Sequence, residues 1–298
     1  MLSVLLPALQ QTLLFLPLCF GIYLTYRIMA TTDLTVEATF VLGAGAFAHL
    51  VTLNCNQYVA VLIAIAAAGA VGLVVALIQK MAKLNALITS ILAIFMLYSI
   101  NFKVLGRPNI SLLSTNTLIQ SLQMSHPAIL WSGIGMLMLT LAITLCLLLH
   151  SRFGLLLRAF GDNNALLQHL AKNRLLILIS GLVVSNGLAA FSGVLTAQVN
   201  GYADVNMGLG VALTAIGSMI IGLTVVNQLR GTHARFKAAY ELFGCCLGVL
   251  TYFIAMNALL YLGLDPIYMK LALGIVLLFF LSSSQIKNRG EQHVESCA

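Results

Sequence analysis

Eight carboxylates, six histidines and six cysteines are the side chains with which this 298-residue chain could perform acid–base, nucleophilic or metal chemistry. Their spacing supports none of it. There is no HExxH, no pair of histidines four residues apart and no CxxC, so neither a zinc-type site nor a thiol redox pair is indicated. Cys19, Cys146, Cys245 and Cys246 fall inside apolar runs, where a thiol reads as a small packing side chain. The chain has no Gly-Lys dipeptide, hence no GxxxxGK[ST] phosphate loop, and no Gly-x-Ser-x-Gly nucleophile turn. No catalytic residue, metal or cofactor is expected in this chain, and any work drawn from ATP would come from a partner.

The polar residues that remain are conspicuous because of what surrounds them. Of all residues 60% are hydrophobic and 8% charged, with a mean hydropathy of +1.02, against roughly 25% charged in ordinary globular domains. Apolar runs long enough to cross a bilayer core of about 30 Å read as helices, which satisfy their own backbone hydrogen bonds. The expected fold is all-α, a polytopic membrane protein with about nine spans (eight to ten), near 5–26, 34–53, 58–79, 86–105, 128–149, 175–199, 205–226, 238–262 and 266–283. Residues 1–284 read as one transmembrane domain and 285–298 as a polar tail. The first span has no Lys or Arg before Arg27, so it reads as a mature helix and not as a removed signal peptide.

Orientation follows from the distribution of positive charge. With the N-terminus outside and nine crossings, only Lys103, Arg107 and Lys270 of the fifteen basic residues fall outside, which places the C-terminus in the cytoplasm. The net charge of +7 then reads as topology. A nucleic-acid partner is not expected, since no basic stripe interleaved with aromatics is present.

One polar island interrupts this pattern on the cytoplasmic side, RFGLLLRAFGDNNALLQHLAKNR, within a loop at about 150–174. Gly161 is expected to end the preceding helix, and Asp162 or Asn163 to cap a new one over Ala165 to Lys172, with Leu166, Leu167, Leu170 and Ala171 along one side. Such an element is about 15 Å long, too short to span. It reads equally as an interfacial helix or as a docking element for a soluble partner.

Intramembrane polar groups tend to face a cavity or another helix. Candidates to line a path are Asp33, Thr35, Glu37, Asn101, Asn186, Gln198, Tyr202, Asp204 and Asn206. For Asn186 an interhelical hydrogen bond is the competing reading, and for Asp33 and Glu37 it is complementing a helix dipole. Arg107 and Asn109, in GRPN, fall on the outer face. Aligning Asp33 with Asp204 pairs Leu42 with Leu213 and Ala44 with Ala215, a weak match whose opposite sidedness an inverted repeat would produce. Gly244-x-x-x-Gly248, Ala189-x-x-x-Gly193 and Ser218-x-x-x-Gly222 mark close helix contacts, within one subunit or between two.

The segment from Gly154 to Gly210, GLLLRAFGDNNALLQHLAKNRLLILISGLVVSNGLAAFSGVLTAQVNGYADVNMGLG, resembles the central part of bacterial ABC-transporter permeases of the branched-chain amino acid and ribose superfamily, more closely those assigned to tryptophan/tyrosine uptake. YLTYRIMATTDLTVEATFVLGAGAFA and LYSINFKVLGRPNISLL resemble the same group in family order. The resemblance implies that the island is a coupling helix for a separate ATP-binding subunit, carried by Arg158, Gly161, Asp162, Asn163, Asn164, Leu167 and Ala171. Relatives usually carry an acid shortly after the Asp-Asn pair, whereas Asn164, Ala165 and Leu166 follow here.

The same resemblance implies ATP and Mg on the partner, a periplasmic or lipid-anchored binding protein facing Arg107 and Asn109, a second permease chain, and residence in the bacterial inner membrane. The expected function is inward movement of a small amino-acid-like solute, aromatic amino acids among the candidates. Two other classes stay open, an ion-coupled secondary transporter and a membrane-embedded scaffold or enzyme. Uphill flux driven by an ion gradient would mark the first, and turnover of a substrate the second.

Overall fold

The computed structural model describes residues 2–113, 115, 117–162, 173–229 and 237–263, together with Asp265, Tyr268, Leu271, Gly274, Ile275 and Leu278. The elements in order are α1 (Leu2–Ile22), continued by a π-helical turn (Tyr23–Ile28), α2 (Val36–Thr52), α3 (Gln57–Ala82) and α4 (Ala86–Leu105). They are followed by β1 (Asn109–Ser111), α5 (Leu118–Ser125), α6 (Pro127–His150), α7 (Arg152–Asp162), α8 (Arg174–Asn200), β2 (Tyr202–Asp204), α9 (Val211–Leu229) and α10 (Lys237–Tyr261). Among the described residues six helices are long and apolar enough to cross a membrane, and Val36–Thr52 and Val211–Val226 are shorter apolar helices. The protein is thus an all-helical, polytopic membrane protein. The two strands among the described residues form only a short antiparallel ribbon, with Asn109 opposite Asp204 and Ser111 opposite Tyr202.

Local chemistry sets the helix ends. The side chains of Asn56, Asn85 and Asn173 accept from the backbone N–H two residues on, at 3.0, 3.4 and 3.0 Å, and so cap α3, α4 and α8. Gly106 and Gly201 close α4 and α8 in the left-handed region at φ +70° and +76°. Thr117 caps α5 through Gln120 N at 3.3 Å, a signal too local for a hydropathy window to register.

Two expected spans start late. The run at 34–53 becomes helical only at Val36, because Asp33 Oδ1 accepts from Thr35 N at 3.0 Å and holds the chain just before the helix. The run at 205–226 becomes helical only at Val211, after β2 and a turn ending at Gly210, φ +80°. The ninth expected span and the polar tail lie almost wholly outside the described residues.

Chain contacts divide the molecule into two compact units, Leu13–Ile216 and Met1–Thr12 with Gly217–Ala298. In the larger unit α8 packs against α2 and α3. Gly43 lies on the backbone of Ala190 and Gly193 on the carbonyl of Phe40, with no room for a Cβ at either place. Close backbone approach of this kind is what holds helices together in lipid, where burying one apolar side chain against another gains little hydrophobic energy. Phe47, Ala48, Leu105, Ile110, Leu112 and Val194 fill the space at one end of this contact.

In the smaller unit the small residues interlock as a pair. Gly222 lies on the carbonyl of Gly244, and Gly248 on the carbonyl of Ser218, so the two motifs form one seam between α9 and α10 inside a single chain. Asn257 donates to Gln11 Oε1 and to Phe253 O, each at 2.8 Å, which satisfies an amide that lipid would penalise.

The first half of the polar island is itself a helix, α7. Gly154, Leu157 and Phe160 are its buried stripe, and Arg152 and Asp162 are exposed. Gly161 does not end it, contrary to expectation, and the helix continues to Asp162. The glycine is required for packing, since a Cβ there would meet the carbonyl of Ile28.

Candidate functional site

Asn186 stands twelve residues beyond the start of α8, about 18 Å along its axis, so it sits at the helix waist. It is completely buried, as are Thr35 and Thr39, and Asp33 is nearly so. Asn186 Nδ2 donates to Asp33 Oδ2 at 3.0 Å and to Leu182 O at 2.9 Å, and Asn186 Oδ1 accepts from Thr39 Oγ1 at 2.9 Å. Asp33 Oδ1 accepts from Thr35 N at 3.0 Å and pairs closely with the Thr35 hydroxyl. The non-helical stretch before α2 therefore reaches the interior of the bundle, where irregular backbone survives only if protein surrounds it.

The Thr35 hydroxyl has one proton and two partners, Asp33 and, at 3.1 Å, Asn186 Oδ1. An ionised Asp33 would take that proton and leave two oxygens facing each other. A protonated Asp33 donates to Thr35, which then donates to Asn186, and every group in the cluster is satisfied.

A second helix start meets the same place. Glu37 Oε1 accepts from Ala212 N at 3.2 Å, in the first turn of α9, and Gly208 lies on the Glu37 carbonyl. Ala212 and Ala215 pack with Val36, Phe40 and Ala189. Glu37 thus complements the start of α9, while Asp33 meets the start of its own helix through hydrogen bonds to Thr35. The two N-termini approaching one another are the segments that the weak internal alignment pairs, although α9 begins seven residues after Asp204 and α2 three after Asp33.

Of the other candidates, Asn101 is buried beside this cluster and donates to Ala38 O at 2.9 Å, while its Oδ1 has no partner among the described residues. Gln198 is buried further along α8. Tyr202, Asp204 and Asn206 gather on the ribbon with Asn109, apart from Asn186. Asn109 Nδ2 donates to Asp204 Oδ2 at 3.4 Å, and Asn206 N donates to Asp204 Oδ1 at 2.7 Å. Arg107 is exposed next to them. Of the coupling candidates, Arg158 is half-buried on α7, Gly161 and Asp162 are the last described residues of that helix, and Asn163, Asn164, Leu167 and Ala171 lie outside the described residues. Thr39 escaped the sequence reading because a threonine one turn into an apolar helix carries no signal of its own.

The profile of the family described as branched-chain amino acid transport system, permease component, matches residues 5–281. The chain belongs to that family. This permease is 45% identical over 285 residues to an uncharacterized protein of Rickettsia prowazekii (strain Madrid E), covering 94% of this chain and 98% of the relative. It is 33% identical over 282 residues to the tyrosine transport system permease protein of Clostridioides difficile (strain R20291), covering 93% and 90%. No solved structure matches the permease.

Proposed function

We propose that this permease is the membrane-spanning subunit of an ATP-driven importer for an amino acid, aromatic amino acids being the favoured class. The observation that carries the reading is the meeting of two helix N-termini and the Asp33–Thr35–Thr39–Asn186 cluster at the waist of an apolar bundle, in a chain with no phosphate loop of its own. Helix starts facing a polar interior are how membrane transporters meet charged solutes. The aromatic class rests on similarity to the tyrosine permease. Asp33, Thr35, Glu37, Asn101, Asn186, Gln198, Tyr202, Asp204 and Asn206 flank the path in this reading, and Arg107 and Asn109 face a binding protein. An ATP-binding subunit grips the end of α7 and the segment after it, and two permease chains enclose the path.

The test is uptake of labelled tyrosine into liposomes holding the permease, an ATP-binding subunit encoded beside it and a binding protein. Uptake should require all three and ATP. Uphill flux through the permease alone under an ion gradient would replace this reading with secondary transport, and turnover of tyrosine to a product would replace it with an enzyme.

An outside N-terminus in the inner membrane places the turn between α2 and α3 on the outer face. Cys55 in that turn is exposed. In spheroplasts it should react with a membrane-impermeant maleimide added outside, and protection of Cys55 until the membrane is broken would invert the orientation.

A further inference from the structure

A cavity of about 510 Å³ in the larger unit is enclosed by the end of α3, the starts of α4 and α8, the end of α7 and residues 30–32. That volume falls within the range of small-molecule sites, about 300–1,000 Å³. Three cations face it, Lys80, Lys83 and Arg174. Arg174 lies over the Phe160 ring, 5.0 Å from its centroid, which holds the guanidinium in place. Among the described residues none of the three is paired with a carboxylate. The amide nitrogen of Gln79, also in the lining, is shielded from solvent and has no partner among the described residues. The N-termini of α4 and α8, capped by Asn85 and Asn173, add two positive dipole ends.

Uncompensated positive charge with idle donors calls for an anion bearing several oxygens. The walls include Leu84, Leu175, Leu178 and Phe160, and Met81, Leu87 and Leu176 nearby are exposed apolar side chains on the same helix ends. A ligand with a phosphate head and apolar tails satisfies both halves of the site. We propose that this cavity binds the phosphate headgroup of an anionic phospholipid, such as phosphatidylglycerol, with its acyl chains along α3, α4 and α8. Basic pockets between membrane helices hold such headgroups. The site stands independently of the transported solute.

The test uses the purified full-length permease in mixed micelles with phosphatidylglycerol or phosphatidylcholine, with retained lipid counted by native mass spectrometry. Wild type should keep one phosphatidylglycerol and exchange phosphatidylcholine freely. Each cation beside an anionic surface strengthens binding about fivefold, so Lys80→Gln with Lys83→Gln and Arg174→Gln should weaken retention about a hundredfold. Lys103→Gln, at the far end of α4, should not. Gln79→Glu, which turns a donor into an acceptor inside the cavity, should also lower retention, and it keeps the proposal testable if the triple variant does not fold. Undiminished retention by the folded triple variant, or equal retention of phosphatidylcholine, overturns the proposal. So does displacement of the lipid by inorganic phosphate, which would identify a site for a soluble anion.

Discussion

Replacing Asp162 with lysine should reduce uptake to the level of vesicles lacking the permease and release the ATP-binding subunit during purification. The reason lies in where the residue stands. Asp162 is exposed in the last described turn of α7. An exposed substitution of this kind changes stability by only about 0.5 kcal/mol, so lost transport cannot be ascribed to a melted helix. If Asp162 instead caps a following helix, the change costs about 1 kcal/mol, too little to unfold the protein. Leu167→Pro should act alike by breaking the expected docking helix. The amount of permease in the membrane fraction should stay unchanged in both. Normal uptake by both variants would remove the coupling role from this segment.

Asn186→Leu should have the largest effect on stability. Asn186 alone joins Asp33, Thr39 and the Leu182 carbonyl, and leucine fills similar space while offering them nothing. Each buried group left unsatisfied costs about 1–3 kcal/mol in soluble proteins. Interhelical bonds in membranes average closer to about 0.6 kcal/mol. Several groups lost together should therefore cost roughly 2–4 kcal/mol, visible as a markedly lower melting temperature in detergent. Asp33→Asn sets an amide nitrogen against either Thr35 N or Asn186 Nδ2, since both carboxylate oxygens accept, and should cost about 1–3 kcal/mol. A cost near zero for Asp33→Asn would show that one of those two bonds is dispensable.

The sequence and the structure agree where local chemistry and hydropathy coincide. The span at 86–105 matches α4 because Asn85 caps its start and Gly106 its end. They part where a long-range bond decides. Hydropathy carries α2 back to residue 34, but the carboxylate of Asp33 and its partner on α8 set the start at Val36, and no window holds both residues. The seam between α9 and α10 was legible as spacing of small residues, while its location inside one chain was not. Asp33, Thr35 and Asn186 were named individually as polar residues in apolar surroundings. That they form one cluster, with Thr39 and with the α9 start through Glu37, depends on helix packing that pattern alone does not contain. The island drew attention through its polarity, and a helix before Gly161 was expected there, but its buried stripe of Gly154, Leu157 and Phe160 was not, because a stripe so short and glycine-containing carries little hydropathy signal.

The bond between Asp33 and Asn186 joins residues 153 positions apart. At about 5–20 residues per second a ribosome needs roughly ten to thirty seconds to deliver the second partner after the first. Throughout that interval Asp33, just before the nascent α2, has only its local partners on Thr35. Its residence in the bilayer must then be provisional, and the newborn chain depends on the insertion machinery or the headgroup region to shelter this end until α8 arrives.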